Sequence, residues 1–481
     1  MTQCSEKTMH FKDLGSREVV ANFAGGQLSS DAGALLLGQV EDVLGLTERF
    51  AALFTDHRDP DAIEHSVLEL LRQRVYGLAL GYEDLTDHDE LSRDPLLAAV
   101  VGKKDPTGAE RVHERDRGRA LAGKSTLNRL ELTREVVDEE TRRYKKIVLD
   151  ASRAERFFAE AVFERPQARP RVVVLDLDPT DNPLYGKQEG RHYNAYYKEY
   201  VYLPLYVFWG DELVLAKLRE GSVDATEGTV EALGWLVPLI RSRWPGVWII
   251  VRADSSFARE EIMAWCEGNR VDYVLGLAKN SVLVGQIGAE LAEAKARHAA
   301  TGQPARVFQE LRYRTQKTWS RERRVVAKAE HTTEGSNPRF VVTSLPERGR
   351  HRYGTRALYE DLYCARGEME NRIKEQQRYL FGLRTSAESL RANQIRVWFS
   401  SLAHSLMQGL RREGLAGTEM ARSRSDTIRL KLLKIGAAVR VTVRRVWVEM
   451  SSSYPLQNLF RAVWRRLQGV ARRPAVMALR C

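Results

Sequence analysis

The chain has 481 residues, 43% hydrophobic and 29% charged, with a formal net charge of +11; this exceeds one ordinary core and predicts roughly two to four domains. No apolar run approaches the ~20 residues needed to cross a bilayer, and Lys7, Asp13 and Arg17 argue against a secretory leader, so a cytoplasmic protein without a membrane partner is expected. Cys4, Cys266, Cys364 and Cys481 form no CxxC pair, which speaks against a cysteine zinc site or a disulfide framework.

The location of the charge is informative. From Ser401 to Cys481 there are 16 Lys plus Arg against 4 Asp plus Glu, a net of +12, which leaves the first 400 residues at −1. A basic excess concentrated in one tail suggests a polyanionic partner, DNA or RNA before an anionic membrane surface.

Residues 1–165 are predicted to be mainly helical after an extended start near Val19–Phe23. Apolar residues recur at helical spacing in Ala34–Leu44, in Ala62–Leu80 and from Leu127 onward. Breaks fall at Asp59-Pro60, Asp94-Pro95 and Asp105–Gly108. Gly123–Arg129 resembles the start of a recognition helix, with Ser125 or Thr126 as N-cap and with Asn128 and Arg129 able to reach bases or phosphates; a capped surface helix explains it as well. The acid and histidine clusters at Asp56–His65 and Asp84–Asp89 match no metal-ligand spacing, and Asp before Pro is turn chemistry.

From Arg171 the period changes. Val172–Leu177 is a β-branched run suited to a central strand, and it ends in Asp176-Leu-Asp178-Pro-Thr180. Tyr200–Trp209 and Leu213–Leu218, joined by Gly210-Asp211, read as a hairpin. A helix at Thr229–Arg241, a strand from Trp248 ending at Asp254, a helix to Cys266 and a strand at Tyr273–Leu277 complete an α/β order with a mixed sheet. A helix at Gln286–Ala299 and strands at Arg306–Tyr313, Arg323–Ala329 and Phe340–Thr343 read as an inserted β-rich subdomain, 281–350. The tail, 406–481, reads as basic and helical, including Ile428–Lys434, Val439–Met450 and Pro455–Leu467.

Leu362–Leu380 carries an unusual helical face. Tyr363, Arg366, Glu370, Lys374 and Gln377 fall at about 0°, 300°, 340°, 20° and 320° on a helical wheel, so all five share one side. A solvated face with Glu370–Lys374 pairing accounts for it, and so does a surface laid against phosphate. Asp178 and Asp254 tilt the balance toward phosphate, because both lie at the carboxyl ends of apolar strands, where α/β sheets place their sites. Asp176 shares the strand face with Asp178 one step deeper. Two acids on strand ends and one on a helix supply the hard oxygen ligands that a pair of divalent cations needs, with Mg²⁺ the default.

These segments resemble a DDE transposase of a bacterial insertion sequence, in the group marked by Tyr-x2-Arg-x3-Glu-x6-Lys and most like the insertion sequence 1380 family. The likeness is carried by Leu28–Gly33, Leu175–Thr180, Gln188–Gly190, Tyr202–Leu205, Arg252–Phe257, Trp319–Arg324 and Tyr363–Asn371. It implies an RNase H-like mixed-sheet core in two parts, 166–280 and 351–405, interrupted by the β-rich insertion, with a DNA-binding region at 1–165 and a basic region at 406–481 for DNA or dimer contacts. It implies catalytic, metal-binding Asp178, Asp254 and Glu370 holding two Mg²⁺ ions, with Mn²⁺ able to substitute. Tyr363 and Arg366 are implied to meet the terminal phosphate, and Trp319 to stack on a flipped base during hairpin formation, although a buried Trp in a small β subdomain explains that residue as well. The position seven past Glu370 is Gln377, not Lys; Lys374, one turn earlier, is the candidate replacement. Lys431, Lys434, Arg444 and Arg445 are candidate phosphate contacts. The implied partners are transposon ends and target DNA, bound by a homodimer in the bacterial nucleoid, with no small-molecule substrate. The competing readings are an RNase H-like, structure-specific nuclease without strand transfer and an inactive, transposase-derived DNA binder.

Overall fold

The computed structural model describes residues 8–134, 146–347 and 353–471; Cys4 and Cys481, and the helix expected from Leu127 where it passes 134, lie outside them. Two compact units emerge, Met1–Leu149 with Leu402–Cys481, and Asp150–Ser401. Among the described residues no helix is long and apolar enough to cross a membrane.

In chain order the second unit contains α1 (Ala151–Phe163), β1 (Val172–Pro179), β2 (Asn182–Pro183), β3 (His192–Asn194), β4 (Glu199–Tyr202), β5 (Leu205–Trp209), β6 (Glu212–Lys217), α2 (Thr229–Arg243), β7 (Trp248–Ala253), α3 (Glu260–Gly268), β8 (Asp272–Leu277), α4 (Gly288–Thr301), β9 (Ala305–Tyr313), β10 (Arg323–Thr332), β11 (Arg339–Thr343) and α5 (Gly367–Tyr379). Its main sheet runs β6-β5-β1-β7-β8-β11-β10-β9, with Gly335–Ser336 added on β10. β1 pairs antiparallel with β5 and parallel with β7, which pairs parallel with β8. Remaining neighbours are antiparallel.

Strands buried on both faces need runs of apolar residues, and Val172–Leu175 of β1 and Trp248–Val251 of β7 supply them. On one face Val173, Leu175, Leu177, Ile249 and Val251 pack with Ala159, Val162 and Phe163 of α1, Leu233 and Leu236 of α2, and Met263 of α3; each large side chain buried there contributes about 1.5–3 kcal/mol. On the opposite face Ile250, Val274 and Val341 meet Leu358, Tyr359 and Leu362. The β5–β6 hairpin turns on Gly210 at φ +60°, a conformation glycine adopts without strain.

Several elements differ from their sequence reading. The apolar run Tyr200–Trp209 splits into β4 and β5 at Leu203-Pro204, because Pro204 has no N–H for a ladder. β4 joins β2 and β3 in a separate three-stranded sheet. β9, β10 and β11 continue the main sheet beyond β8. Leu362–Leu380 is not one uniform α-helix: Leu358–Tyr363 forms a π turn and Cys364–Arg366 a 3₁₀ turn before α5 begins. The widened turn seats Leu358, Tyr359 and Leu362 against the sheet.

In the first unit the expected helices occur at Ala34–Leu44 and, behind a Ser66–Glu69 capping box, at Val67–Leu80. Asp59 caps a 3₁₀ turn at Pro60–Ala62, and Asp94 caps an α-helix at Pro95–Val101. The helix of the Gly123–Arg129 segment spans Lys124–Glu131 and lacks the expected Ser125 or Thr126 cap; the Asp89 carboxylate accepts from the Lys124 N–H instead, at 2.9 Å. The tail is not wholly helical, since Ala437–Thr442 and Arg445–Met450 form a hairpin that pairs with Leu28–Ser29. Val439, Val441, Val446 and Val448 alternate at the strand period of two, which an apolar–cationic count mistakes for a helix face.

Candidate active site

Parallel register sets the first two acids side by side. Ala253 of β7 is opposite Leu177 of β1 and Leu275 of β8, so the next row across the three strands is Asp178, Asp254 and Gly276. Adjacent strands lie about 4.8 Å apart. Asp254 also caps the turn Ser255–Phe257, accepting from the Ser256 N–H at 2.8 Å. The third place in the row lacks a side chain for a steric reason. A Cβ on Gly276 would stand 2.6 Å from the Tyr363 hydroxyl and 2.9 Å from the Ser255 nitrogen. Tyr363 therefore lies over the strand end beside Asp254, and burial pushes its phenol above the usual range.

Glu370 reaches the row through Arg366. The Arg366 guanidinium donates to Asp178 at 3.0 Å and to Glu370 at 2.6 Å. Burial pushes the Asp178 carboxyl up to about 7; Arg366 opposes this, and the negative charges of Asp254 and Glu370 reinforce it. Among the described residues no three His, Cys, Asp or Glu side chains are grouped to hold a metal ion as they stand. Both observations follow from one arrangement, in which the acids are near enough to repel and a guanidinium is bonded to two of them. The donor set, three carboxylates from three elements in a half-buried place short of cations, fits hard divalent ions. Arg366 is the group that would have to yield.

Beneath this row lies a buried pair that the sequence reading passed over. Arg252 donates twice to Asp176, once at 2.7 Å, and also to the Leu362 carbonyl. One guanidinium thereby ties β7, β1 and the segment leading into α5, the three elements that carry Asp254, Asp178 and Glu370. A cation inside Trp248–Ala253, an otherwise apolar strand, is the signal that marks it. Gly276, likewise passed over, is a glycine inside a strand, which marks close approach by another group.

Gln377 and Lys374 have different surroundings. Gln377 is buried and donates to the Asn182 side chain at 3.1 Å and the Asp181 carbonyl at 3.2 Å, fastening α5 to the chain just past Asp178. Lys374 is exposed. Trp319 is 6% exposed, edge-on to Tyr313 and beneath the Arg323 guanidinium, so it is a core residue rather than an open stacking surface. Arg129 is exposed and Asn128 half-buried; Lys431, Arg444 and Arg445 are exposed. Lys434 points inward, its ammonium 2.6 Å from the buried Asp31 carboxylate and over the Tyr82 ring. Asp56 pairs with Arg58, and His88 is buried against Gln73, so the two acid and histidine clusters are internally bonded.

The family model described as transposase DDE domain group 1 matches residues 11–472. A cryo-EM structure of the piggyBac transposase synaptic complex with hairpin DNA is similar at 11% identity, covering 93% of this chain and 83% of that one, with a TM-score of 0.38. No curated protein matches the chain.

Proposed function

The chain belongs to the transposase DDE domain group 1 family, and from that premise we propose that it binds the inverted repeats of an insertion sequence and moves it by cut-and-paste. It is an enzyme of the DDE transposase type, a metal-dependent nuclease acting on DNA. The observation that carries the proposal is the row of Asp178 and Asp254 on neighbouring parallel strand ends, joined to Glu370 through Arg366. The likeness of Leu28–Gly33 and Tyr363–Asn371 to insertion sequence 1380-like transposases of bacteria supports a narrower reading within that family, with action at the nucleoid. The central position of β1, antiparallel to β5 and parallel to β7, supports an RNase H-like core.

In this reading Asp178, Asp254 and Glu370 would hold two Mg²⁺ ions, with Mn²⁺ as a substitute, and the chemistry supplied there would be Lewis-acid activation of a water or a 3′-hydroxyl and stabilisation of the leaving oxygen. Arg366, released from Asp178 and Glu370, turns to the phosphate of the transposon end. Tyr363, fixed against Gly276, orients that phosphate and is not a nucleophile. Lys374 adds positive charge along α5 where the family pattern expects a later Lys. Asn128 and Arg129, and Lys431, Arg444 and Arg445 in the tail, contact DNA backbone or bases, whereas Lys434 serves the internal pair with Asp31. Holding two ends for joining to a target calls for a homodimer on DNA.

The test is incubation of the purified protein with labelled DNA from the flanks of its own element plus Mg²⁺ or Mn²⁺. Cleavage at the element boundary followed by joining of the 3′-OH end to target DNA is expected, and both are lost in Asp178→Asn. Cleavage without joining leaves a nuclease, and DNA binding without metal-dependent nicking leaves a binding protein.

A further inference from the structure

The segment between Asp178 and β5 is built differently from the rest of the unit. Six of the chain's 17 tyrosines fall between residues 185 and 202. Tyr202 is buried, its hydroxyl hydrogen-bonded to the Glu189 carbonyl, and anchors the small sheet. Others face outward: Tyr185 is 92% exposed and Tyr196 86%, with Tyr193 and Tyr200 about half exposed. Exposed tyrosine at this density is unexpected for a surface that only has to be wet, because each ring leaves apolar area in water.

The rings are ordered, and they lead toward the acids. Tyr193 meets Tyr200 edge-on at 5.6 Å, and the Arg191 guanidinium lies 4.6 Å over the Tyr200 ring. Tyr196 stands edge-on against Tyr197 at 4.9 Å. Burial first, and then the negative charges of Asp181, Asp178 and Asp254, push the Tyr197 phenol up to about 12. At the root of the sheet, Asn182 is held by Gln377 of α5 and donates to the Gly382 carbonyl. The platform is therefore fixed to the helix that carries Glu370. Lys187 and Lys198 are exposed among the rings; of the two exposed acids, Glu189 accepts from the Leu390 N–H and Glu199 lies on β4.

We propose that the β2–β4–β3 sheet and its loops form a stacking platform for an unpaired DNA strand next to the acid row, with Tyr185 and Tyr196 as the principal rings. The proposal rests on the reading of that row as a DNA-cleaving site. The chemistry favours a nucleic acid strand over a protein partner: flat rings interleaved with Lys and Arg, with no Val, Leu, Ile or Met between Tyr185 and Tyr200, match bases and phosphates. Stacking needs no particular base, so the platform is sequence-tolerant.

The test is fluorescence anisotropy of the full chain, without divalent ions, on a labelled oligothymidylate strand and on a duplex hairpin of similar length. For Tyr185→Ala/Tyr196→Ala we expect at least about tenfold weaker binding of the single strand, with duplex affinity within about twofold of wild type. Tyr185→Phe/Tyr196→Phe keeps the rings and stays within about twofold on both. The proposal is overturned if wild type does not bind oligothymidylate, if the Ala variant binds it unchanged, if strand and duplex weaken equally, or if the Phe variant falls with the Ala variant. Metal-dependent nicking by wild type and Asp178→Asn is read in parallel. Nicking through Asp178 with unchanged strand binding in the Ala variant removes the platform alone. Strand binding through the tyrosines without any nicking removes the cleavage reading alone.

Discussion

Replacing Arg252 by Met should destabilise the Asp150–Ser401 unit out of proportion to a single lost contact. Asp176 is 2% exposed, and its carboxyl, raised by burial, is held back by the Arg252 guanidinium. Removing one member of a buried pair leaves the other charge without compensation, at a cost of about 3–5 kcal/mol. Orphaning the Leu362 carbonyl adds about 1–3 kcal/mol unless water reaches it. For a unit of this size each kcal/mol lowers the melting temperature by roughly 2–4 °C, so a fall of about 6–20 °C is expected where water satisfies the carbonyl and about 8–32 °C where it does not. The deficit has a pH signature. Without Arg252 the Asp176 carboxyl sits further above its unfolded value, so the folded variant binds the extra proton at low pH and loses that stability as pH rises. The gap to wild type is therefore smaller near pH 5 than near pH 8. Thermal melts of wild type, Arg252→Met, Asp176→Asn and the double variant form a cycle, and the double variant should be more stable than the sum of the singles predicts. Additive losses, or a deficit under about 1 kcal/mol that does not change with pH, would refute the claim that this pair clamps β1, β7 and the lead-in to α5.

The Asp178 carboxyl, at about 7 in the folded protein, is raised above its unfolded value. The metal-free protein should therefore lose stability, on the order of a few kcal/mol, as pH climbs from about 4 to about 7, a slope that Asp178→Asn flattens. Calorimetric Mn²⁺ titrations should show proton release below about pH 7 and an affinity that rises by up to about tenfold per pH unit before levelling; an affinity flat across that range counts against Asp178 as a ligand. Gly276→Ala should displace Tyr363 or the Asp254–Ser255 backbone, costing about 1–3 kcal/mol in melts and reducing nicking further than the fraction folded explains; near-wild-type nicking would show that Tyr363 need not sit there. Lys374→Ala should leave the melting temperature unchanged and lower the salt dependence of end binding by about one ion. Gln377→Ala should do the reverse, destabilising by about 1–3 kcal/mol at unchanged salt slope.

How much of this was readable beforehand depends on whether a feature is local. The strand ends at Asp178 and Asp254 follow from a β-branched run meeting an acid, and both occur where expected. The tail hairpin at Ala437–Met450 was equally local and was missed because cations between valines obscured the period of two. The partners of Gln377 were not readable: its helical phase put it on the face with Glu370, while its amide bonds to Asp181 and Asn182, nearly two hundred residues earlier. The same holds for Lys434, whose basic surroundings suggested phosphate while a buried aspartate some four hundred residues upstream takes its charge. Charge in a sequence says that a partner exists; only the fold says whether the partner lies inside.

The two arginines near the acids show the same residue type under opposite demands. Arg252 is 8% exposed and meets Asp176 through two bonds plus a carbonyl, an arrangement with every strong acceptor inside the protein. Its pair is neutral as a unit and has nothing to exchange with solvent. Arg366 is more exposed, and its guanidinium is shared between two acids, Asp178 and Glu370. With Asp254 beside them, one cation faces three carboxyls, and this surplus of negative charge adds to burial, the larger cause, in raising Asp178. A site left short of positive charge in this way favours any cation that can enter, whereas the pair two rows below does not. The division follows from the period of β1, which places Asp176 and Asp178 on one face two residues apart, the first under cover and the second at the strand's open end.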